Sequence, residues 1–191
     1  FVPMPIRKND NCDNINYSDK SLYLTEKDNA DGSLKDKNNM NYGYTIYQKD
    51  KQFLMDLEVN PNISGNESKG HSVYVNPEHL GDASKLIYQD NKKKLNVEEL
   101  STLSERQFYL FLSGMLDGDG CRSGNLLSLC NFDGHIDEIS ELMQWNGIFN
   151  TVTKNHVRPV NLDFTKLSVR HKRFDNYSYD CSQRDSSQKY N

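Results

Sequence analysis

Asp117 and Asp119 alternate with Gly118 and Gly120 at the end of an apolar run, Phe-Tyr-Leu-Phe-Leu-Ser-Gly-Met-Leu, that spans residues 108 to 116. Phe108, Phe111, Leu112, Met115 and Leu116 recur at i, i+3, i+4, i+7 and i+8, which is one face of a helix. Ser104 and Gln107 supply a capping box just upstream, and Gly120 ends the helix. Gly114 and Gly118 leave a bare strip along which a second helix backbone can approach. The two carboxylates then stand at a helix C-terminus, where the helix dipole repels negative charge. A cation would offset that repulsion. The plainer alternative is a buried helix that closes in a Gly/Asp turn.

Such a site needs elements to hold it, and the flanking pattern supplies them. Leu126 to Cys130 reads as a short strand. Asp133 can cap a helix whose apolar positions are Ile136, Ile139, Leu142 and Met143; Asn146-Gly147 ends it, and Ile148 to Lys154 reads as the next strand. Lys166 to Lys172 alternates strictly, which predicts a strand with Leu167 and Val169 toward a core and Lys166, Ser168, Arg170 and Lys172 on the other face. Upstream, Tyr42 to Tyr47 and His71 to Val75 alternate like strands, Gln52 to Leu57 has helical spacing, and Pro61 to Gly70 reads as a loop.

The nine residues Leu112-Ser-Gly-Met-Leu-Asp-Gly-Asp-Gly120 resemble the LAGLIDADG motif of homing endonucleases, with Leu112, Gly114, Asp117, Asp119 and Gly120 at matching positions. The phrase Leu142-Met-Gln-Trp-Asn-Gly-Ile148 is similar to the segment that family members carry after their second helix. The resemblance implies an α/β (α+β) saddle of order αββαββ with two motif helices packed at its centre. It further implies double-stranded DNA as partner, Mg²⁺ or Mn²⁺ as cofactor, and Asp119 as metal ligand and catalytic residue. The family also places a lysine near the reaction, for which Lys172 is the first choice and Arg170 the second. A sheet lying in the DNA major groove would present Lys154, Arg158, Lys166, Ser168 and Arg170. Arg122, Asn125, Ser128 and Asn131, around the first strand, are further contacts.

A second copy is fainter. Leu24-Thr-Glu-Lys-Asp-Asn-Ala-Asp-Gly32 begins and ends like the motif, but Thr25, Glu26, Lys27 and Asp28 stand where the family has glycine and apolar residues. That middle is not expected to pack tightly against the first motif helix. Because the downstream order repeats, the chain reads as a pseudo-symmetric two-repeat domain with a degenerate first repeat and Asp31 as partner metal ligand and catalytic acid. The competing reading is an unrelated small subdomain whose Asp-Gly is only a turn. The expected boundaries are an N-terminal segment over 1–22, the first repeat and linker over 23–97, the second repeat over 98–175 and a tail over 176–191. Two repeats make a monomer; one would need a homodimer. EF-hand spacing would put Lys27 first and lacks the terminal Glu, which excludes a calcium loop at Asp28 to Gly32.

Composition sets bounds. The formal net charge of −4 over 191 residues argues against a generic nucleic-acid binder. Between 154 and 173, however, Lys154, Arg158, Lys166, Arg170, Lys172 and Arg173 face a single acid, Asp163. Cys12, Cys121, Cys130 and Cys181 form no Cys-x-x-Cys pair and are not spaced as zinc ligands, which fits reduced thiols. With no signal peptide, long apolar run or lipidation motif, the expectation is a soluble cytoplasmic chain of a bacterial or phage-infected cell. Trp145 and the tyrosines read as packing residues. Phe1 suggests a piece of a larger protein. Tyr179-Asp-Cys-Ser182 and the final Asn191 resemble the last block of a splicing domain, yet Tyr190 and Phe1 stand where splicing needs His and Cys or Ser. The alternatives to a working nuclease are therefore a decayed DNA-binding relic and an intein-derived structural remnant inside a larger, phage-like protein.

Overall fold

The computed structural model describes residues 12–34, 44–89, 92–123, 126–130 and 134–175. Asn125, Asn131, Asp133, Tyr179 to Ser182 and Asn191 lie outside them. The first half runs α1 (Asp19–Asp31), β1 (Gly32–Leu34), β2 (Tyr44–Gln48), α2 (Lys51–Asp56), β3 (Ile63–Asn66) and β4 (Gly70–Val75). Two 3₁₀ turns at Pro77–His79 and Gly81–Leu86, a small hairpin of β5 (Tyr88–Gln89) and β6 (Lys92–Lys93), and α3 (Val97–Leu100) follow. The second half runs α4 (Glu105–Asp119), β7 (Gly120–Ser123), β8 (Leu126–Cys130), α5 (Ile136–Trp145), β9 (Asn150–Thr153) and β10 (His156–Pro159). Both halves have the order αββαββ, and both sheets are antiparallel with the same strand order, β1-β2-β4-β3 and β7-β8-β10-β9.

Helix α4 forms because its start, its stripe and its end agree. Ser104 Oγ accepts the amide of Gln107 at 3.1 Å, and Gln107 Oε1 accepts that of Ser104 at 3.3 Å, which completes the capping box. Gln107 also clasps the chain upstream, accepting from Asn14 N and donating to Asn14 O, both at 2.8 Å. Phe108, Phe111, Leu112, Met115 and Leu116 are all buried. At about 2 kcal/mol for each such side chain removed from water, the stripe outweighs the cap, which contributes about 1 kcal/mol. At the far end Gly120 is required by space: a Cβ there would collide with the Leu116 carbonyl that the Gly120 amide bonds.

Helix α1 packs along α4. Leu22, Tyr23 and Leu24, ahead of its polar middle, are buried there. Leu22 enters the larger core with Phe108, Leu112 and Leu116, while Tyr23 and Leu24 enter the smaller core with Ile46, Leu54 and Val73. Consecutive residues on α1 thus tie the two cores together. The helix also starts at Asp19, inside the segment expected to precede it.

Three further expectations change. Pro61 to Gly70 is not all loop: β3 occupies Ile63–Asn66, closed onto β4 by the Asn66 side chain, which accepts the amides of Ser68 and Lys69. Gly65, at φ +107°, permits this tight return. Trp145 is 40% exposed and donates to Glu141 at 3.3 Å, so it is not a packing residue, whereas Tyr23, Tyr44 and Tyr109 are buried. The stretch from Lys166 to Lys172 is not a strand. It passes from a 3₁₀ turn at Phe164–Lys166 through extended chain to a second turn at Lys172–Phe174. Its alternation still reports burial, since Leu167 and Val169 pack against the larger core. Any extended segment laid on an apolar surface alternates in this way, whether or not a strand lies beside it.

Candidate functional site

The two halves meet along α1 and α4. Each helix finishes on an aspartate followed by a glycine that opens the first strand of its sheet: Asp31-Gly32 into β1 and Asp119-Gly120 into β7. Asp119 is half-buried. The Asp119 carboxylate at a helix C-terminus is a hard oxygen donor placed where the backbone disfavours anions.

Asp117, one turn back, does something different. It is 0% exposed and its carboxylate accepts from Tyr23 Oη of α1, from Arg170 N at 2.7 Å and from His171 N at 2.9 Å. A carboxylate can only accept, and here both of its oxygens meet protein donors. Ser113 Oγ repeats the device one turn earlier, accepting Ser168 N at 2.8 Å while donating to Tyr109 O. At the helix start, Lys166 pairs with Glu105 at 2.7 Å and lies over the Tyr109 ring. Residues 166 to 171 therefore run along α4 from its first turn to its last, with backbone donors met by helix side chains.

This path sorts the predicted residues. Lys166 sits at the opposite end of α4 from Asp119, about 21 Å away at 1.5 Å per residue, so it is not a partner of Asp119 on a DNA-facing sheet. Arg170 is near Asp117, but its guanidinium lies 4.7 Å from the Tyr23 ring centroid and donates to Asp56 O at 3.3 Å. It joins the halves rather than projecting from a strand. Ser168 is exposed, with its amide on Ser113. Lys172 is at the Asp119 end of α4, 3.2 Å from Asp50, the residue that caps α2. The hydrogen bond from Lys172 holds the Asp50 carboxyl below the usual aspartate range.

Strand register settles which residues share the open faces of the sheets. In the second sheet Leu127, Leu129 and Val157 face the core. Cys121 pairs with Ser128, His156 with Cys130 and Thr153, and Arg158 with Thr151, so these share the opposite face. Arg158 and Ser128 thus lie on the face away from the core, and Lys154 lies exposed in the turn between β9 and β10. Arg122 pairs with buried Leu127 and donates to Asp175 O at 3.3 Å at the sheet rim. In the first sheet the open face carries Thr45 opposite Tyr74, and Tyr47 opposite Ser72, which in turn pairs with Ser64.

A cavity of about 380 Å³ opens beside Gly118, lined by Gln48, Lys49, Lys69, His71 and His171 among others. These residues are not marked in the sequence, because they come from a strand end, a hairpin and the extended tail. The available signal was Gln48-Lys49, at the end of the second strand after the first Asp-Gly. Among the described residues no three of His, Cys, Asp and Glu converge on one point. A helix-end carboxylate such as that of Asp119 fits a magnesium-like ion, which is commonly held by one or two carboxylates with substrate phosphates and water completing the shell. Among the described residues no helix is long and apolar enough to cross a membrane.

No family model matches the chain. A curated relative, an uncharacterized protein of Methanocaldococcus jannaschii, is 29% identical over 177 residues, covering 83% of this chain and 59% of that protein. The chain thus spans less than two thirds of the relative it matches. Among solved structures, a variant of I-DmoI in complex with its target DNA and 2 mM Mg superposes with a TM-score of 0.50 at 18% identity, over 76% of this chain and 90% of that one. I-DmoI in complex with DNA and Ca gives 0.50 at 19% identity, over 75% and 83%. Mesophilic variants of the homing endonuclease I-DmoI give 0.51 at 18% identity, over 75% and 85%. The chain has the mixed α+β fold of the homing endonuclease I-DmoI.

Proposed function

We propose that this protein is a metal-dependent endonuclease that grips double-stranded DNA on its two sheets and hydrolyses phosphodiesters at the paired helix ends. The observation that carries this reading is that α1 and α4, one from each αββαββ half of a single chain, pack along each other and each end in Asp-Gly. Asp119 and Asp31 are the residues that would hold Mg²⁺ or Mn²⁺. A bound divalent ion supplies a Lewis acid for the phosphoryl oxygen and makes a bound water easier to deprotonate. Asp117 fixes the last turn of α4 against Tyr23 and the tail, so the Asp119 carboxylate is held on a rigid element. Lys172 supplies positive charge at the same end of the helix, opposite charge developing on phosphate. Arg158, His156 and Ser128 on one sheet, and Tyr47 and Tyr74 on the other, contact the groove, with Lys154 on the backbone. Both motif helices belong to one chain, which supports action as a monomer of two repeats, 23–97 and 98–175.

A second reading, a DNA-binding relic that survives as an intein-derived module of a larger protein, draws on Glu26, Lys27 and Asp28. These stand in α1 where the intact motif has Gly114, Met115 and Leu116. The test is selection from a randomised duplex library, followed by addition of Mg²⁺ or Mn²⁺ to the retained DNA. The nuclease predicts retention that weakens steeply with salt and site-specific cutting that EDTA abolishes. Retention without cutting would leave the relic, and no retained sequence would remove both.

A further inference from the structure

Two thiols and an imidazole share the open face of the second sheet, and the proposed cutting chemistry uses neither thiol. Cys130 on β8 pairs with His156 on β10, and Cys121 on β7 pairs with Ser128 on β8. Residues directly opposite each other bring their Cβ atoms to about 5 Å, so the Cys130 sulfur and the His156 ring are neighbours. Cys130 and His156 are half-buried, Cys121 is exposed, and neither cysteine is in a disulfide. Cys121 stands one row along from Cys130, a diagonal that puts their Cα atoms about 7 to 8 Å apart. A disulfide spans at most about 7 Å, so the two thiols do not close on each other without movement of the sheet.

A thiol beside an imidazole suits sulfur chemistry, in which the thiolate is the nucleophile and the ring nitrogen is the base that forms it. The reagent has to be small enough to reach a half-buried sulfur and able to oxidise it unaided, which describes a low-molecular-weight disulfide. The surroundings add a charge preference. Arg158, on the next row of β10, is exposed, and the described residues of this face include no acid. A disulfide that carries carboxylates is therefore favoured over a neutral or cationic one.

We propose that Cys130, with His156 as its base, is a modification site for a small anionic disulfide such as oxidised glutathione, and that the adduct covers the sheet face carrying Arg158 and Ser128. His156 takes the Cys130 proton, and the thiolate attacks one sulfur of the reagent. The reagent S–S bond breaks as the new S–S bond to Cys130 forms. Cys130 is oxidised, while the displaced half of the reagent is reduced and leaves as a thiol with that proton. Because Cys121 is out of disulfide reach, the mixed disulfide persists until an external thiol reverses the exchange. Only the effect of the adduct on DNA rests on the endonuclease reading.

The test incubates the protein with oxidised glutathione at neutral pH, quenches with acid and maps adducts at each cysteine by peptide mass spectrometry. Cys12, exposed and remote from this sheet in sequence, is the internal control. Cys130 should react about tenfold faster than Cys12 although it is the less exposed, and His156→Gln should remove that advantage. Equal rates at Cys130 and Cys12, or an unchanged Cys130 rate in His156→Gln, would overturn the site. A Cys121–Cys130 disulfide as the product would overturn the persistent adduct. In the second arm, glutathionylation should weaken binding of a selected duplex at least about tenfold, since like charges are then brought together. Dithiothreitol should restore it, and Cys130→Ser should be immune. An adduct that leaves DNA affinity unchanged would overturn the covering role alone, whereas unmodified protein that retains no duplex would sink the nuclease and leave the thiol chemistry to the first arm.

Discussion

The two halves share one order of elements but divide their labour. The second half keeps the apolar motif helix, with Phe108, Phe111, Leu112, Met115 and Leu116 buried and a complete capping box. The first half has a polar-centred helix in which Leu22, Tyr23 and Leu24 enter the two cores. The wet chemistry is distributed the other way. At the end of β2 stand Gln48 and Lys49, facing the cavity beside Gly118, whereas the corresponding end of β8 carries Cys130. A polar helix is therefore a poor measure of what its half contributes. Helix α4 is a scaffold that fixes Asp117 and carries Asp119, and the first half supplies the basic wall.

The sharpest test of the scaffold is Asp117→Ala. It leaves Tyr23 Oη and the amides of Arg170 and His171 without their acceptor in a buried site, and should cost about 3 to 5 kcal/mol, read from the urea midpoint at constant m-value. A loss under about 1 kcal/mol, the scale of an ordinary hydrogen bond, would show that the tail is not anchored through α4. Next in size is the contrast between open faces. Arg158→Ala should weaken DNA binding about tenfold and relax specificity at one position. Tyr47→Phe on the neutral first sheet should change affinity about twofold at most, as loss of a single exposed polar contact allows. Equal effects in a binding titration at fixed salt would erase the distinction.

The smallest effect concerns the Lys172–Asp50 clasp. Asp50 is depressed below its usual range, chiefly by the hydrogen bond from Lys172. A carboxylate with a lowered folded pKa adds stability above its unfolded value and loses it as pH falls through the folded one. The clasp should thus be intact at neutral pH and fail only below about pH 4. Lys172→Met should remove that acid-limb contribution, a few tenths of a kcal/mol for so exposed a pair, while lowering cleavage far more than binding. Equal losses of binding and cleavage would deny Lys172 a part in the reaction.

Much of this was legible in the residues. The start, stripe and Gly-ended stop of α4 are local signals, as are the strands around Tyr44 to Gln48, Gly70 to Val75 and Leu126 to Cys130, because alternation over a half-buried sheet is local. Lys166 to Lys172 misled because alternation records which side is buried and is silent about what satisfies the backbone; here Ser113 and Asp117 do so from a helix more than fifty residues away. Arg122 misled because one step of register along β7 decides the face. The cavity residues Lys49, Lys69, His71 and His171 come together only through tertiary packing of both halves, and no spacing in the chain announces them.

The central claim is that one acid from each half completes a single cutting site. It is tested most directly by product analysis on a supercoiled plasmid carrying a selected site, with Mg²⁺ and with the wild type, Asp119→Asn and Asp31→Asn side by side. The account predicts linear product from the wild type and a drop of roughly a thousandfold in its formation by either variant, with DNA binding retained. Undiminished cutting by Asp31→Asn would contradict the claim, leaving the first half a structural partner of a site that Asp119 serves without it.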